Sequence, residues 1–282
     1  MKKKICIFLI FLLLISAGCS NSSSVNNNEN FEKETPTISQ NAENTPDSDP
    51  TPVPTLRIVN TIDLKFEPCE IKPLPKGKPD ERWPKVYSVY YGNLPDQKEA
   101  TISFYWDNQT EKYPDYIQDI YVYLEAGGET YDLGFLTSFG FNGINNIEAV
   151  DLTNDGIKEF FITGDGGATY QESWIIGFKD GQWYQLLDYG NLSIRDLDSD
   201  GMQEVTVESF GSLPPFVEIL RWNGNCFEKA DVTDHIKMDY ATLSYEYDNW
   251  IISSGKAFDP YYYIYKDGKL HQIDLNEEEQ SG

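Results

Sequence analysis

Two nine-residue segments decide the fold: Asp151-Leu152-Thr153-Asn154-Asp155-Gly156-Ile157-Lys158-Glu159 and Asp196-Leu197-Asp198-Ser199-Asp200-Gly201-Met202-Gln203-Glu204. Both follow D-x-(D/T)-x-D-G-x-x-E, and they start 45 residues apart. Strand-like runs flank them. Ile147-Glu148-Ala149-Val150 precedes the first, Phe160-Phe161-Ile162-Thr163 follows it, and Val205-Thr206-Val207-Glu208 follows the second. β-branched and aromatic residues favour extended backbone, while Gly, Asp and Asn mark turns. The unit is a strand, an acidic loop and a strand, and it recurs.

A set of hairpin signals shares the period. Gly127-Gly128, Asp180-Gly181, Asn223-Gly224 and Asp267-Gly268 each sit between aromatic or aliphatic residues, and their second glycines are 53, 43 and 44 residues apart. Such pairs supply the positive φ that tight two-residue turns require. Tyr91-Gly92-Asn93-Leu94 returns as Tyr189-Gly190-Asn191-Leu192, 98 residues later. No stretch carries convincing helical periodicity. A period in the mid-forties fits a four-stranded propeller blade of about 40–50 residues. The predicted fold is all-β and β-propeller-like, with about four to five blades of four-stranded antiparallel sheet; a β-sandwich of hairpins is the alternative.

The loops carry the chemistry. Calcium takes about six to eight oxygen ligands at about 2.3–2.6 Å, and alternate residues of a curled loop can aim oxygens at one centre. The glycine permits the sharp turn after the third ligand. The backbone carbonyl of Ile157 or Met202 can join, and the glutamate closes the shell. A helix–loop–helix calcium site closes at its twelfth position between amphipathic helices. These loops close at the ninth, between strands. The competing reading is a pair of Asp/Gly-rich turns that carry no metal.

A strand, an acidic loop and a strand at this period resemble the FG-GAP or VCBS repeat of integrin-type propellers and secreted bacterial proteins. The resemblance covers about residues 145–230, and Ile219-Leu220-Arg221-Trp222-Asn223-Gly224-Asn225-Cys226-Phe227 looks like the closing hairpin of such a unit. It implies calcium ligands at Asp196, Asp198, Asp200 and Glu204, and at Asp151, Thr153, Asp155 and Glu159. The second loop has the greater negative charge and is the better expected site. The implied role of calcium is structural.

The chain opens with Met1-Lys2-Lys3-Lys4, an apolar run from Ile5 to Ile15, and Ser16-Ala17-Gly18-Cys19. This is the layout of an export signal, too short for a stable spanning helix. The small-residue site ending in cysteine resembles the lipobox of bacterial lipoproteins, although Ser16 stands where leucine is usual. That implies cleavage after residue 18, a lipid on Cys19, and an extracytoplasmic address on a cell membrane. An ordinary secretory signal is the alternative. Residues 19–55 are rich in Ser, Asn, Glu, Thr and Pro, a composition that cannot bury enough apolar surface to order itself. Residues 56–276 form the predicted all-β domain, and 277–282 an acidic tail.

The 282 residues include 22 basic and 46 acidic ones, a net charge of −24. Such a surface repels nucleic acid and anionic headgroups and suits cations. Cys69 and Cys226 remain in an oxidising-capable compartment. They either pair, tying the start of the domain to a distant strand, or stay as two buried free thiols. His235 and His271 sit in no metal-ligand spacing and beside no candidate nucleophile. Serine-elbow and phosphate-cradling motifs are not visible. Aromatic residues make up 14% of the chain, with Tyr240, Tyr245, Tyr247, Trp250 and Tyr261-Tyr262-Tyr263 dense near its end. Half of each such run is expected in the core, the rest being available to sugar rings or a protein partner. The expected function is a membrane-tethered binding or scaffold module for a surface protein or glycan. The alternative is a carbohydrate-active hydrolase that uses paired carboxylates across a propeller funnel.

Overall fold

A computed structural model describes residues 56–91, 99–108, 118–209, 214–256 and 259–274. The predicted signal 1–18, Cys19, the spacer 19–55 and the tail 277–282 lie outside the described residues.

The chain enters as three short strands, β1 (Arg57–Asp63), β2 (Glu67–Pro68) and β3 (Lys72–Pro73). Four antiparallel meanders of four strands follow. Sheet one is β4 (Lys85–Tyr90), β5 (Ala100–Trp106), β6 (Ile120–Ala126) and β7 (Glu129–Thr137). Sheet two is β8 (Ile144–Val150), β9 (Glu159–Asp165), β10 (Gln171–Lys179) and β11 (Gln182–Gly190). Sheet three is β12 (Leu192–Arg195), β13 (Glu204–Glu208), β14 (Val217–Trp222) and β15 (Phe227–Asp231). Sheet four is β16 (Ala241–Glu246), β17 (Asn249–Lys256), β18 (Asp259–Lys266) and β19 (Lys269–Asp274). The fold is all-β, with four antiparallel sheets where a sandwich would have two.

The predicted glycine-containing turns occupy one equivalent place, the hairpin between the third and fourth strand of each sheet. At Gly127-Gly128, Asp180-Gly181 and Asp267-Gly268 both residues have positive φ, as a tight two-residue hairpin turn requires. Asn223 instead accepts the N–H groups of Asn225 and Cys226 on its side-chain oxygen, at 2.9 and 3.0 Å. The two Tyr-Gly-Asn-Leu segments do not begin at equivalent places, and residues 92–94 of the first lie outside the described residues. Tyr91 follows the first strand of sheet one, whereas Tyr189 lies in the last strand of sheet two.

Successive sheets share apolar cores. Phe104 and Leu124 of sheet one meet Phe160, Ile162 and Trp183 of sheet two. Phe161 and Ile175 of sheet two meet Val205, Leu220 and Phe227 of sheet three. Val217 and Ile219 of sheet three meet Ile252, Tyr263 and Leu270 of sheet four. An inner sheet is thus buried on both faces, which is why Phe160, Phe161 and Ile162 are consecutive apolar residues rather than alternating with polar ones. Burying each such side chain contributes about 1.5–3 kcal/mol.

The entering segment runs along the last strand of every sheet in reverse order. β1 pairs with β19, β2 with β15, β3 with β11, and Lys76 bridges to Tyr131 of β7. Both histidines hold it. The N–H of Lys65 donates to His235 Nε2 at 2.8 Å, and His271 Nδ1 lies 3.0 Å from Thr61 Oγ1. The start of the domain is tied to a distant strand without a disulfide: the Cys69 N–H donates to the Phe227 carbonyl at 2.8 Å, while Cys69 and Cys226 are free thiols. Among the described residues, a 3-10 helix (Gly140–Gly143) and one short α-helix, α1 (Val232–Ile236), depart from the all-strand expectation. Asp231 caps it by accepting the Asp234 N–H at 3.0 Å.

Candidate functional site

The two acidic loops occupy equivalent positions. Loop one joins β8 to β9 and loop two joins β12 to β13, each linking the first and second strands of its sheet. Their backbones repeat one another. The fourth residue is left-handed in both, Asn154 at φ 55° and Ser199 at 60°, as is the sixth, Gly156 at 83° and Gly201 at 87°. A Cβ at either glycine would meet no atom within 4 Å, so the requirement for glycine is conformational rather than spatial.

Side chains lock this shape in the same way twice. The first carboxylate accepts the sixth N–H, Gly156 to Asp151 at 3.0 Å and Gly201 to Asp196 at 3.1 Å. The fifth accepts the seventh N–H, Ile157 to Asp155 and Met202 to Asp200, both at 2.7 Å. The closing glutamate reaches back to the second N–H, Leu152 to Glu159 at 2.8 Å and Leu197 to Glu204 at 2.9 Å. The two leucines are buried and anchor the loops in the core.

Glu159 and Glu204 are 2% and 7% exposed. Burial pushes both carboxyls up to about 7, and the neighbouring aspartates push the same way, against the backbone N–H that each accepts.

The third position separates the loops. The Thr153 hydroxyl donates to Glu159 Oε1 at 3.4 Å. Asp198 has no proton to give when ionised. Its Oδ2 accepts the Asp267 N–H of sheet four at 3.2 Å, and its Oδ1 is buried without a partner, as is Asp151 Oδ1 of loop one. Burial raises this carboxyl too. Oxygens of Asp196, Asp198 and Glu204 lie within 4.8 Å of one another. Two ligands of one calcium, each about 2.3–2.6 Å from it, are separated by no more than about 5 Å, so the spacing fits that ion. Asp200 stands outside this group, and loop one forms no comparable one among the described residues. Of the four carboxylates expected to converge in loop two, three do so and Asp200 does not.

A cavity of about 250 Å³ opens beside loop two, lined in part by Asp198, Glu204, Arg221 and Tyr265. Another of about 400 Å³ lies beside loop one, and both are bounded by Met202 and Trp222. Asp267, Arg221 and Tyr265 could not be placed here from sequence. They come from other strands, 69 residues away in the case of Asp267 and Asp198.

Gly164-Asp165 end β9 and Gly166-Gly167 begin its link to β10, where the Gly166 N–H donates to the Tyr170 carbonyl at 2.9 Å. Of the tyrosine and tryptophan runs expected to be half core, only Tyr263 is buried; Tyr240, Trp250 and Tyr262 are half-buried, and Tyr245, Tyr247 and Tyr261 are exposed. No known family model, curated protein or solved structure matches this chain.

Proposed function

We propose that this chain is a membrane-tethered extracytoplasmic binding module, its four sheets acting as propeller blades and its second acidic loop holding a structural calcium ion. The observation that carries the reading is the convergence of Asp196, Asp198 and Glu204 in loop two, where loop one sets the Thr153 hydroxyl on Glu159 in place of a third carboxylate. A divalent cation would offset the repulsion among three partly buried carboxylates. It would also tie loop two more firmly to the Asp267 hairpin, since Asp198 already accepts its N–H. Sequential four-stranded meanders that pack on their neighbours support the propeller. Ser16-Ala17-Gly18-Cys19 after a basic and apolar start supports the lipid tether. A tethered, acidic module with exposed aromatic side chains suits a protein or glycan ligand. The two carboxyls raised to about 7 are each held on a backbone N–H within their own loop, which favours a structural role over a hydrolytic acid pair.

Thermal unfolding with calcium and with chelator tests the ion. The melting temperature should rise with calcium in the parent and stay flat in Asp198→Asn; a rise that survives that substitution removes the site. Cys19→Ala should release the protein from the membrane fraction, and a variant that stays bound removes the tether.

A further inference from the structure

Sheet one presents two different faces. Ile102, Phe104, Val122 and Leu124 pack toward sheet two. The opposite face carries a row in register across all four strands: Lys85 beside Tyr105, Tyr105 beside Tyr121, and Tyr121 beside Phe135. Trp83 stacks on Tyr121 with ring centroids 4.6 Å apart, and Phe135 meets Tyr121 edge-on at 5.7 Å. Trp83, Tyr105 and Tyr121 are half-buried and Phe135 is 43% exposed.

Carboxylates surround this row. Asp107, Asp119 and Asp132 act on the Tyr121 phenol and, after burial, help push its pKa up. Two of them are held in place: Asp119 accepts the Ser138 hydroxyl at 2.7 Å, and Asp132 accepts the Gly134 N–H at 2.9 Å.

The chain itself shows what such a setting takes. A basic side chain lies over an aromatic ring and pairs with a glutamate in four places. These are Lys85 with Tyr105 and Glu125, Arg195 with Trp250 and Glu208, Arg221 with Phe66 and Glu228, and Lys229 with Tyr189 and Glu218. The first stands at the end of the row in question. Ring and carboxylates continue past it to Tyr121 and Phe135, where among the described residues no Lys or Arg lies over a ring. The partner that complements this surface, and a chain of net charge −24, is cationic.

We propose that the outer face of sheet one docks a basic peptide segment, whose Lys or Arg side chains lie against Trp83 and Phe135 and pair with Asp119 and Asp132. This rests on the binding-module reading and names its partner class.

Fluorescence anisotropy of a labelled Lys/Arg-rich peptide titrated with the full chain tests it, with neutral oligosaccharides as the second probe. Phe135→Ala and Trp83→Ala should each weaken peptide binding by about two- to fivefold, the effect of one exposed cation–aromatic contact. Asp119→Asn with Asp132→Asn should weaken it further and flatten its salt dependence. A charge-matched control on sheet four, Glu246→Gln with Asp259→Asn, should leave affinity within about twofold, a change under 0.5 kcal/mol. Should Trp83→Ala unfold, the exposed Phe135→Ala decides. Equal weakening by the control, or no weakening by Phe135→Ala, overturns the proposal. Binding of a neutral glycan without the peptide also overturns it but leaves the binding-module reading intact. If neither probe binds the full chain, both readings fall.

Discussion

Loop one and loop two share their backbone, their buried leucine and their back-reaching glutamate, yet they differ in what they lack. In loop one, Thr153 donates to Glu159, so the loop supplies a proton to its own buried carboxylate. In loop two, Asp198 adds a third oxygen donor where that proton would be; each loop keeps one buried carboxylate oxygen without a partner, Asp151 Oδ1 in loop one and Asp198 Oδ1 in loop two. One side chain at the third position separates a loop that sets a hydroxyl on its buried glutamate from one in which three carboxylates converge. The two loops thus share a shape and differ in the chemistry of the third position.

The largest effect that could break this comparison is calcium itself. At a concentration a hundredfold above its Kd, an ion that binds only the folded chain stabilises it by about 2.7 kcal/mol, or about 5–10 °C in melting temperature for a domain of this size. Calorimetry with calcium and then with chelator should show that gain in the parent and in Asp155→Asn, but not in Asp198→Asn. Equal losses in both variants would show that the loops are not distinguished at all.

The shared part of the loops should respond alike. Glu159→Ala and Glu204→Ala each strip a buried leucine N–H of its acceptor, at a cost of about 1–3 kcal/mol by denaturant unfolding without calcium. Adding calcium should widen the gap between parent and Glu204→Ala and leave that for Glu159→Ala unchanged.

Exchanging the third residues sharpens the contrast. Asp198→Thr should abolish the calcium response and, without calcium, stabilise the chain by about 1 kcal/mol through removal of a buried unpartnered carboxylate. Thr153→Asp should destabilise the calcium-free chain and give loop one a calcium response. A Thr153→Asp variant indifferent to calcium would mean that the third position is insufficient.

The smallest effect is in pH. Glu159 and Glu204 hold protons up to about 7 when folded, against an ordinary value of 4.5. The folded state binds these protons more tightly than the unfolded state, so their contribution to stability is complete below about pH 4.5 and is lost as pH rises through about 7. Calcium should flatten the loop-two share of this slope, because the ion favours ionised Glu204. Glu159→Gln should remove the loop-one share, measured as unfolding free energy across that range.

What could be read without the structure was local. The glycine-containing turns at Gly128, Gly181, Gly224 and Gly268 and the two acidic loops depend on backbone preferences and on hydrogen bonds spanning a few residues, and each appears in its place. The Tyr-Gly-Asn-Leu recurrence misled because a four-residue match does not fix a place in a sheet. The strands of the entering segment were illegible for the opposite reason. β2 and β3 have two residues each, and their pairing partners are supplied by β15 and β11, far along the chain. The helical turn at Val232–Ile236 is too short to show a period, and only its Asp231 cap hints at it.

By itself the sequence determined the strand class, the turn period and the identity of the acidic loops, because turn chemistry and side-chain alternation act between near neighbours. Only the tertiary structure decided that the sheets number four, that three carboxylates of loop two converge while Asp200 does not, and that Asp267 joins Asp198 from another sheet. It alone aligned Lys85, Tyr105, Tyr121 and Phe135 in one row. Those arrangements depend on strand register and on packing between distant segments, where contacts follow from how buried surfaces fit rather than from spacing along the chain.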